Sequence, residues 1–181
     1  MDNMKFISER VSVAETKDAI SIVIAPDTEP LKQTLLSTWV VFWSAAGLIV
    51  LSQLFGDYDR EQKTFMFVWL LFWAYFEYIS VYAWLWKKYG LEKIAVKEGK
   101  FFYKRSLKGK GKTHVFAKPS QENIKIEEVD ENSLTSSLNK SYWIVGGEII
   151  FVNSFTNKLK LGIKLNNNEA ALVLKLIKKH L

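Results

Sequence analysis

The stretch FWAYFEYISVYAWLWKKYG, residues 72–90, carries a single carboxylate, Glu77, inside an otherwise apolar run. Glu77 is the only charged residue of the block 64–86, and the block 35–55 has none. At about 1.5 Å per residue, a helix of either length crosses a hydrocarbon layer of roughly 30 Å. The sequence therefore predicts a transmembrane hairpin whose two helices are joined by a loop at 56–63.

The charges that flank the two blocks orient this hairpin, because Lys and Arg near span ends tend to stay on the cytoplasmic side. Lys32 precedes the first block and Lys87 and Lys88 follow the second, whereas acidic residues outnumber basic ones in the loop GDYDREQK. Residues 1–34 are hydrophilic and mixed in charge, unlike a signal peptide. We expect an uncleaved first span, an external loop and two cytoplasmic termini.

Short alternating stretches broken by turn residues follow the second block, a pattern typical of antiparallel strands. The clearest is KLKLGIKL at 158–165, where apolar residues alternate with lysines and a glycine. A tight turn is predicted at Glu98 and Gly99, and a long polar loop at 130–140. The seven predicted strands are 92–97, 101–107, 112–117, 122–129, 141–145, 148–153 and 158–165.

The closing stretch NNNEAALVLKLIKKHL, residues 166–181, predicts an amphipathic helix. An asparagine cap near Asn167, Glu169 in the first turn and lysines in the last turn complement the helix dipole. One apolar stripe at helical spacing is formed by Leu172, Val173, Leu176 and Ile177. Seven antiparallel strands followed by one such helix is the element order of a pleckstrin-homology (PH) barrel.

The chain resembles a family of small bacterial membrane proteins in which a transmembrane hairpin precedes a PH-like domain. The resemblance rests on ISIVIAP before the first block, GLEKIAVKEGKFFYKRSLKGKGKTHVF after the second, and the closing patterns WIVGGEIIF, LGIKL and NEA. It implies an α+β membrane protein of the bacterial cytoplasmic (inner) membrane, with a PH-like barrel of antiparallel strands and a C-terminal helix, and the strand pattern gives this barrel seven strands, or eight if the run at 20–25 joins it. The family carries no agreed activity.

Short linkers hold the predicted domain close to the membrane. Only PDTEP separates the apolar run 20–25 from the first span. Adding this run to an exposed sheet edge would satisfy its backbone and cover the edge, so we expect an eighth strand there. The predicted organisation is an N-terminal cytoplasmic segment at 1–34, the hairpin at 35–86 and a cytoplasmic PH-like domain at 87–181.

Enzymatic and metal sites find little support in the sequence. The chain has no cysteine, and its two histidines, His114 and His180, lack metal-ligand spacing. Asp57, Asp59 and Glu61 alternate like the carboxylates of a calcium loop, but the remaining ligands are missing. We therefore expect no catalytic residue, no metal and no cofactor.

A basic hairpin is the stronger signal for a binding surface. Each cation near an anionic leaflet contributes about 1 kcal/mol, and seven such residues are the predicted lipid-binding set: Lys97, Lys100, Lys104, Arg105, Lys108, Lys110 and Lys112. The alternative is that they are solvated edge residues which also enforce the topology. Phe101, Phe102 and Tyr103 interleave with them as in single-strand nucleic-acid platforms. A domain tethered to a bilayer is poorly placed for nucleic acid, and we expect none.

Glu77 lies nine residues before Trp86, or roughly 14 Å of helix rise, which places it near the bilayer centre. A carboxylate there costs at least about 2.5 kcal/mol on insertion scales, so it should find a partner or take up a proton. Pairing the two span centres sets Ser44 opposite Glu77, and we predict that Glu77 is protonated and donates a hydrogen bond to Ser44 or to a backbone carbonyl of the first span. Ser37, Ser44 and Gly47 form a small-residue stripe suited to close helix packing.

Two functions remain open at this point. In the first, the protein is a non-catalytic membrane-anchored adaptor whose PH-like domain binds a protein partner or an anionic lipid headgroup. In the second, it is an accessory or assembly subunit of a larger integral membrane complex, with Glu77 and the aromatic second span at the interface.

Overall fold

The fold combines a long helical hairpin with two antiparallel sheets. The computed structural model describes residues 4–117, 119–126, 141–153 and 158–181. The helices within these ranges are α1 (Pro30–Gln53), α2 (Arg60–Tyr89) and α3 (Asn167–Lys179), with a 3-10 turn at Gln121–Asn123. The strands are β1 (Met4–Phe6), β2 (Val11–Glu15), β3 (Ala19–Ile24), β4 (Gly90–Lys97), β5 (Lys100–Leu107), β6 (Thr113–Ala117), β7 (Ile124–Ile126), β8 (Glu148–Asn153) and β9 (Lys158–Ile163).

Both long helices begin before the predicted spans, because polar residues start and cap them. Pro30 occupies the first turn of α1, where a missing N–H leaves no hydrogen bond unmade. At the start of α2, the Gln62 N–H donates to the Asp59 side chain at 2.9 Å, and the Asp59 N–H donates back to Gln62 Oε1 at 3.3 Å. The 30 residues of α2 measure about 45 Å, enough to cross the hydrocarbon layer and both headgroup regions.

Both helices are long and apolar enough to cross a membrane. Six of their large side chains, each more than half exposed, are Val41, Phe42, Leu48, Phe65, Phe72 and Tyr78. A core helix of a soluble protein would bury such residues, and an exposed apolar surface of this extent marks contact with lipid or protein. The exposure of the hairpin therefore supports membrane association.

The larger sheet joins the two ends of the hairpin. Its strand order is β1-β2-β3-β4-β5-β6, with every neighbouring pair antiparallel. Strand β3 precedes α1 and pairs with β4, which follows α2, with Ile22 opposite Ile94. Hydrogen-bonded strands cannot be separated by a bilayer, so both ends of the hairpin lie on the same side of any membrane it crosses.

The second sheet, in the order β7-β8-β9, shares one hydrophobic core with the larger sheet and α3. Fully buried residues of this core come from all three, including Ile22, Ile94, Ile150, Leu161 and Val173. Helix α3 begins at a reciprocal cap between Asn166 and Glu169, close to the cap predicted at Asn167. The α+β class and the antiparallel pairing predicted from the sequence are confirmed.

The strand prediction is wrong in one place and incomplete in another. Residues 141–147 form a turn segment instead of a strand at 141–145, because Tyr142 and Trp143 pack against α1. The N-terminal segment contributes β1 and β2 as well as the strand near 20–25, so the described residues hold nine strands rather than seven or eight.

Two further predictions fall partly or wholly beyond the described ranges. The strand predicted at 122–129 is present at Ile124–Ile126, and its residues 127–129 lie outside the described residues. The polar loop predicted at 130–140 also lies outside them.

Candidate functional site

The β4–β5 hairpin distributes the predicted basic residues over two faces of the sheet. Side chains alternate between faces along a strand, and the exposed Lys93 lies opposite Lys104 on the outer face. Arg105 lies on the inner face, opposite the buried Glu92. Lys93 was absent from the predicted set, although the alternation of Lys93, Ala95 and Lys97 in the sequence would have revealed it.

One end of this hairpin lies beside the end of α2. The Lys108 N–H donates to the Tyr89 carbonyl at 3.3 Å, and the Lys108 ammonium lies 4.3 Å from the Tyr89 ring centroid. Lys104 Nζ donates to the Gly109 carbonyl at 3.1 Å in the same turn. We call the following set the juxtamembrane lysines: Lys88, Lys104, Lys108 and Lys110.

Lys97 and Lys100 lie at the other end of the hairpin, directly opposite each other beside its turn. Strand β4 has eight residues, which corresponds to about 26 Å of strand between its two ends. The predicted lipid-binding residues therefore do not form one surface, because the sheet separates Lys97 and Lys100 from the juxtamembrane lysines.

Arg105 belongs to a polar network inside the domain. Its guanidinium forms an ion pair with Glu148, and its Nε donates to the Tyr103 hydroxyl at 2.9 Å. The Tyr103 hydroxyl donates in turn to Glu92 Oε1 at 2.7 Å. Burial raises the pKa of the Glu92 carboxyl and of the Tyr103 phenol. Arg105 is thus occupied by protein partners.

Glu92 connects the two sheets. Its side chain is 1% exposed, and the backbone N–H groups of Gly162 and Ile163 in β9 each donate to its Oε2 at 3.0 Å. Gly162 adopts a φ of +82°, a conformation that favours glycine. Together with the Tyr103 hydroxyl, these amides give the carboxyl three donors, which offsets the cost of burying it.

A cavity of about 430 Å³ opens beside this network. Its lining combines cationic, aromatic and apolar side chains with one carboxylate, and consists of Tyr103, Arg105, Lys112, His114, Glu148, Leu159 and Lys160. Lys112, a member of the predicted lipid-binding set, therefore lines this cavity. Glu148 already neutralises Arg105 there.

A polar seam runs between α1 and α2. Ser44 Oγ lies 2.6 Å from Glu77 Oε1 and 2.7 Å from the Val40 carbonyl oxygen. Its single hydroxyl proton can be donated to either of these two oxygens. The structure thus brings together the two residues that the sequence set opposite each other. One turn away, the Trp73 indole N–H donates to the Trp43 carbonyl at 2.9 Å.

Small residues of α1 receive the aromatic rings of α2. Trp84 Nε1 donates to Ser37 Oγ at 2.8 Å, and Ser37 Oγ donates to the Gln33 carbonyl at 2.8 Å. A Cβ atom at Gly47 would lie 1.9 Å from the Trp73 indole. Gly47 therefore leaves space for the Trp73 ring of α2. The small-residue stripe was predicted to let the two helices pack closely, and at Gly47 the space is filled by this aromatic ring.

Three polar atoms of the hairpin are buried without a hydrogen-bond partner among the described residues: Glu77 Oε2, Trp43 Nε1 and Trp86 Nε1. An unpaired polar atom in a low-dielectric environment is unfavourable. Of the three, Glu77 Oε2 would be satisfied by a proton of its own or by a donor from another molecule.

A second group of charges lies where the hairpin meets the domain. Lys87 is 4% exposed, donates from Nζ to the Asp27 carbonyl at 2.9 Å, and lies 4.0 Å from the Tyr142 ring centroid. Lys164 Nζ donates to the Ser141 carbonyl at 2.6 Å. We call the following set the junction cluster: Arg10, Asp27, Lys87, Tyr142 and Lys164.

Arg10 ties this junction together. Its guanidinium donates to the carbonyls of Ala25, Ile163 and Lys164 at 2.9–3.2 Å, which joins the end of β3 to the end of β9. Burial lowers the pKa of Lys164, and the nearby Lys32 and Arg10 act in the same direction. The sequence offered no signal for this cluster except the lysines at the end of the second span.

The residues considered for metal or nucleic acid have other roles. Among the described residues, no group of three or more His, Asp or Glu side chains could hold a metal ion. Asp59, from the calcium-like loop, caps α2. Phe101 and Tyr103 are buried, at 0% and 4% exposure, so the three aromatics of β5 do not share one exposed face.

Comparison of the chain with protein-family models, curated proteins and solved structures finds no match.

Proposed function

We propose that the protein is a non-catalytic membrane-anchored adaptor, whose transmembrane hairpin holds a domain of the PH-like type at the surface of the bacterial cytoplasmic membrane. The pairing of β3 with β4 supports this architecture, because it closes the domain across both ends of the hairpin. The excess of basic residues after α2 favours a cytoplasmic domain.

The adaptor binds anionic lipid headgroups through the juxtamembrane lysines. The observation that carries this proposal is the contact of Lys108 with Tyr89, the last residue of α2. This contact keeps the turn at 108–111 close to the helix end and hence to the headgroups. Each lysine there contributes about 1 kcal/mol of attraction to an anionic leaflet. A protein partner bound to the same surface would be recruited to the membrane with it.

Hydrogen exchange of the full chain in nanodiscs tests the lipid contact. We expect the amides of residues 107–111 to exchange more slowly in nanodiscs with phosphatidylglycerol than in pure phosphatidylcholine. High salt should reduce the difference, because surface charges are screened over about 3 Å at 1 M salt.

A pair of matched variants sharpens this experiment. The replacement of Lys104, Lys108 and Lys110 by Ser should abolish the effect of phosphatidylglycerol, whereas the replacement of Lys97 and Lys100 by Ser should preserve it. Equal exchange in the two kinds of nanodisc would refute headgroup binding, and equal losses in both variants would refute the assignment to the juxtamembrane end.

An accessory subunit of a larger membrane complex is the second candidate. It is favoured by Glu77 Oε2, which has no partner among the described residues, and by the exposed aromatic surface of α2. A partner subunit could supply the missing donor. Copurification in mild detergent separates the candidates, since a stoichiometric protein that survives washing supports the subunit and a lone, lipid-responsive protein supports the adaptor.

A further inference from the structure

The polar cavity beside Arg105 has no role in the proposed function. It lies between the two sheets, with walls from β5 and β6 on one side and from β8 and β9 on the other. In the topology of the described residues, β6 and β9 are each the last strand of a sheet, so the cavity lies at an open seam. Its volume of about 430 Å³ falls within the range of small-molecule sites, roughly 300–1,000 Å³.

The cavity is open to solvent at the level of its cations. Tyr103 is buried, whereas the Arg105 side chain is 36% exposed and that of Glu148 is 15% exposed. Lys112 and Lys160 are exposed residues at its entrance. A ligand from solution can therefore reach the Arg105 guanidinium between these two lysines.

The charges that line the cavity do not balance. Arg105 pairs with Glu148, and the lining holds no second carboxylate. Lys112 has no hydrogen bond or ion pair among the described residues, and the Lys160 ammonium has only a ring contact, 4.8 Å from the Phe151 centroid. Two positive charges are thus left without a carboxylate in one cavity, a distribution that attracts anions.

Arg105 also retains a donor for a ligand. Its Nε donates to the Tyr103 hydroxyl and its Nη2 to Glu148, which leaves Nη1 without a partner among the described residues. Nη1 does not belong to the buried unpaired atoms, so it is accessible. Guanidinium groups are well suited to phosphate oxygens, because their planar array of donors matches the geometry of the anion.

We propose that this cavity binds the phosphate monoester group of a small polar molecule, with Lys112, Lys160 and Arg105 Nη1 as donors. A phosphate monoester carries about 1.5 to 2 negative charges at pH 7, which matches the two lysines, whereas a carboxylate carries only one. The cavity volume equals that of about fourteen water molecules at about 30 Å³ each, which leaves space for an organic part. The proposal goes beyond the adaptor function and does not depend on the juxtamembrane lysines.

Isothermal titration calorimetry of the full chain in phosphatidylcholine nanodiscs tests the site, with glycerol 3-phosphate, glycerol and acetate as probes. We expect saturable binding of one glycerol 3-phosphate and no binding of glycerol. Acetate should bind at least about fivefold more weakly, because it lacks the charge for a second ion pair. Equal affinity for acetate and glycerol 3-phosphate would overturn the assignment to a phosphate monoester.

The headgroup of phosphatidic acid is also a phosphate monoester, and a second measurement distinguishes a lipid from a soluble source. Native mass spectrometry of the full chain in mild detergent compares the retention of phosphatidic acid with that of phosphatidylcholine. Preferential retention of phosphatidic acid without binding of glycerol 3-phosphate would assign the phosphate to a lipid, and the reverse result would assign it to a soluble molecule. Failure of both probes would overturn the proposal.

Single substitutions locate the bound phosphate. Lys112→Ser and Lys160→Ser should each weaken binding about fivefold through the loss of one exposed ion pair. The matched control Lys100→Ser, at the far end of β5, should leave binding unchanged. Unchanged binding in both cavity variants would place the anion elsewhere and refute the site.

A variant with a gain of affinity guards against effects of misfolding. Glu148→Gln removes the negative charge of the cavity and keeps a hydrogen-bonding group for Arg105, so it should tighten phosphate binding about threefold or more. A misfolded protein would not produce such a gain. Weaker binding in Glu148→Gln would contradict a site whose affinity comes from the excess of positive charge.

The juxtamembrane variant separates this proposal from the adaptor proposal. Replacement of Lys104, Lys108 and Lys110 by Ser should change glycerol 3-phosphate binding by less than about twofold, because charges outside the cavity are screened by salt. The same variant should lose the effect of phosphatidylglycerol on exchange at residues 107–111. A loss of glycerol 3-phosphate binding as large as that of Lys112→Ser would contradict a separate cavity site.

Discussion

Glu92 in the domain and Glu77 in the hairpin are two carboxyl groups with very different surroundings. Glu92 is 1% exposed and receives hydrogen bonds from two backbone amides and the Tyr103 hydroxyl. Glu77 meets Ser44 through Oε1, and its Oε2 has no partner among the described residues.

The difference follows from the backbone that surrounds each carboxyl. At the end of β9, Gly162 turns its amide away from the regular ladder, so backbone donors can point at Glu92. In the middle of α2, every amide is already bonded to the carbonyl four residues earlier. A carboxyl in a transmembrane helix must therefore obtain its donors from other side chains, or carry a proton itself.

The hydrogen bonds of Ser37 and Ser44 in α1 indicate how Glu77 can form a hydrogen bond without a backbone donor. Ser37 donates its hydroxyl proton to the Gln33 carbonyl and accepts from Trp84 Nε1. Ser44 has the same geometry toward the Val40 carbonyl, and its single proton cannot also serve Glu77. We propose that Glu77 is protonated and donates to Ser44 as Trp84 donates to Ser37, which gives two hydrogen bonds where an ionised Glu77 would have one.

The largest effect is expected from removing the Glu92 carboxyl. Glu92→Ala leaves three buried donors without a partner, and we expect a loss of about 3–5 kcal/mol in domain stability. Native-state hydrogen exchange of the full chain in detergent, read on the amides of β4 and β9, measures the loss. The exposed Glu122→Ala is the control and should change stability by less than about 0.5 kcal/mol. A Glu92→Ala loss as small as that of the control would show that Glu92 does not join the sheets energetically.

A smaller effect is expected at Glu77. Glu77→Leu should weaken the hairpin by about 1 kcal/mol through the lost interhelical hydrogen bond, whereas Glu77→Gln retains a donor and should be close to the unmodified protein. Unfolding of the full chain in mixed micelles with increasing sodium dodecyl sulfate measures both. Tyr78→Leu, at an exposed neighbouring position, controls for changes in lipid-facing surface. If Gln were as destabilising as Leu, the protonated form of Glu77 would be ruled out.

The smallest effect is a pH dependence of domain stability that the Glu92 carboxyl should produce. Burial raises the pKa of Glu92 above its ordinary value of 4.5, so the folded state holds the proton more tightly than the unfolded chain. The free energy of unfolding should then fall as the pH rises from 4.5 toward the raised pKa.

Urea unfolding of the full chain at a series of pH values, compared with Glu92→Gln, isolates this dependence. The non-titrating variant keeps Tyr103, Arg105 and Glu148, so their contributions cancel in the comparison. The raised pKa would be contradicted if the free energy of unfolding depended on pH in the same way in both proteins. It would also be contradicted if the free energy of unfolding rose above pH 4.5 only in the protein that has Glu92.

Particular elements show where sequence patterns were sufficient and where they failed. The alternation in KLKLGIKL predicted β9, because one face of a half-buried strand must be apolar. Residues 141–145 were predicted as a strand as well, yet Tyr142 and Trp143 pack on α1. Large aromatic residues are as suitable for packing against a helix as for a position in a strand. Strands β1 and β2 were missed because they are short and lie in a segment that is mostly polar. Their partners are distant in sequence, since Val11 and Val13 of β2 enter the core shared with both sheets and α3.

The basic residues illustrate the same limit at the candidate site. Their charge and their nearness to the second span were visible in the sequence, and so was the pairing of Glu77 with Ser44 from the lengths of the two spans. The division of Lys104 and Arg105 between opposite faces was also implied by strand alternation. The sequence did not show which of the two faces is buried. It also did not show that Arg105 pairs with Glu148, because Glu148 lies on a strand 43 residues further along the chain.

The sequence by itself determined the two apolar helices, the caps at Asp59 and Asn166, and most strands after α2, because these depend on residues within one or two turns of each other. Only the tertiary structure decided that β3 joins β4, that Glu92 reaches Gly162 across 70 residues, and that Arg10 reaches Lys164 across 154. Such contacts form when two sheets and α3 bury one core, and their partners are selected by packing and hydrogen-bond satisfaction between distant segments, which no local pattern encodes.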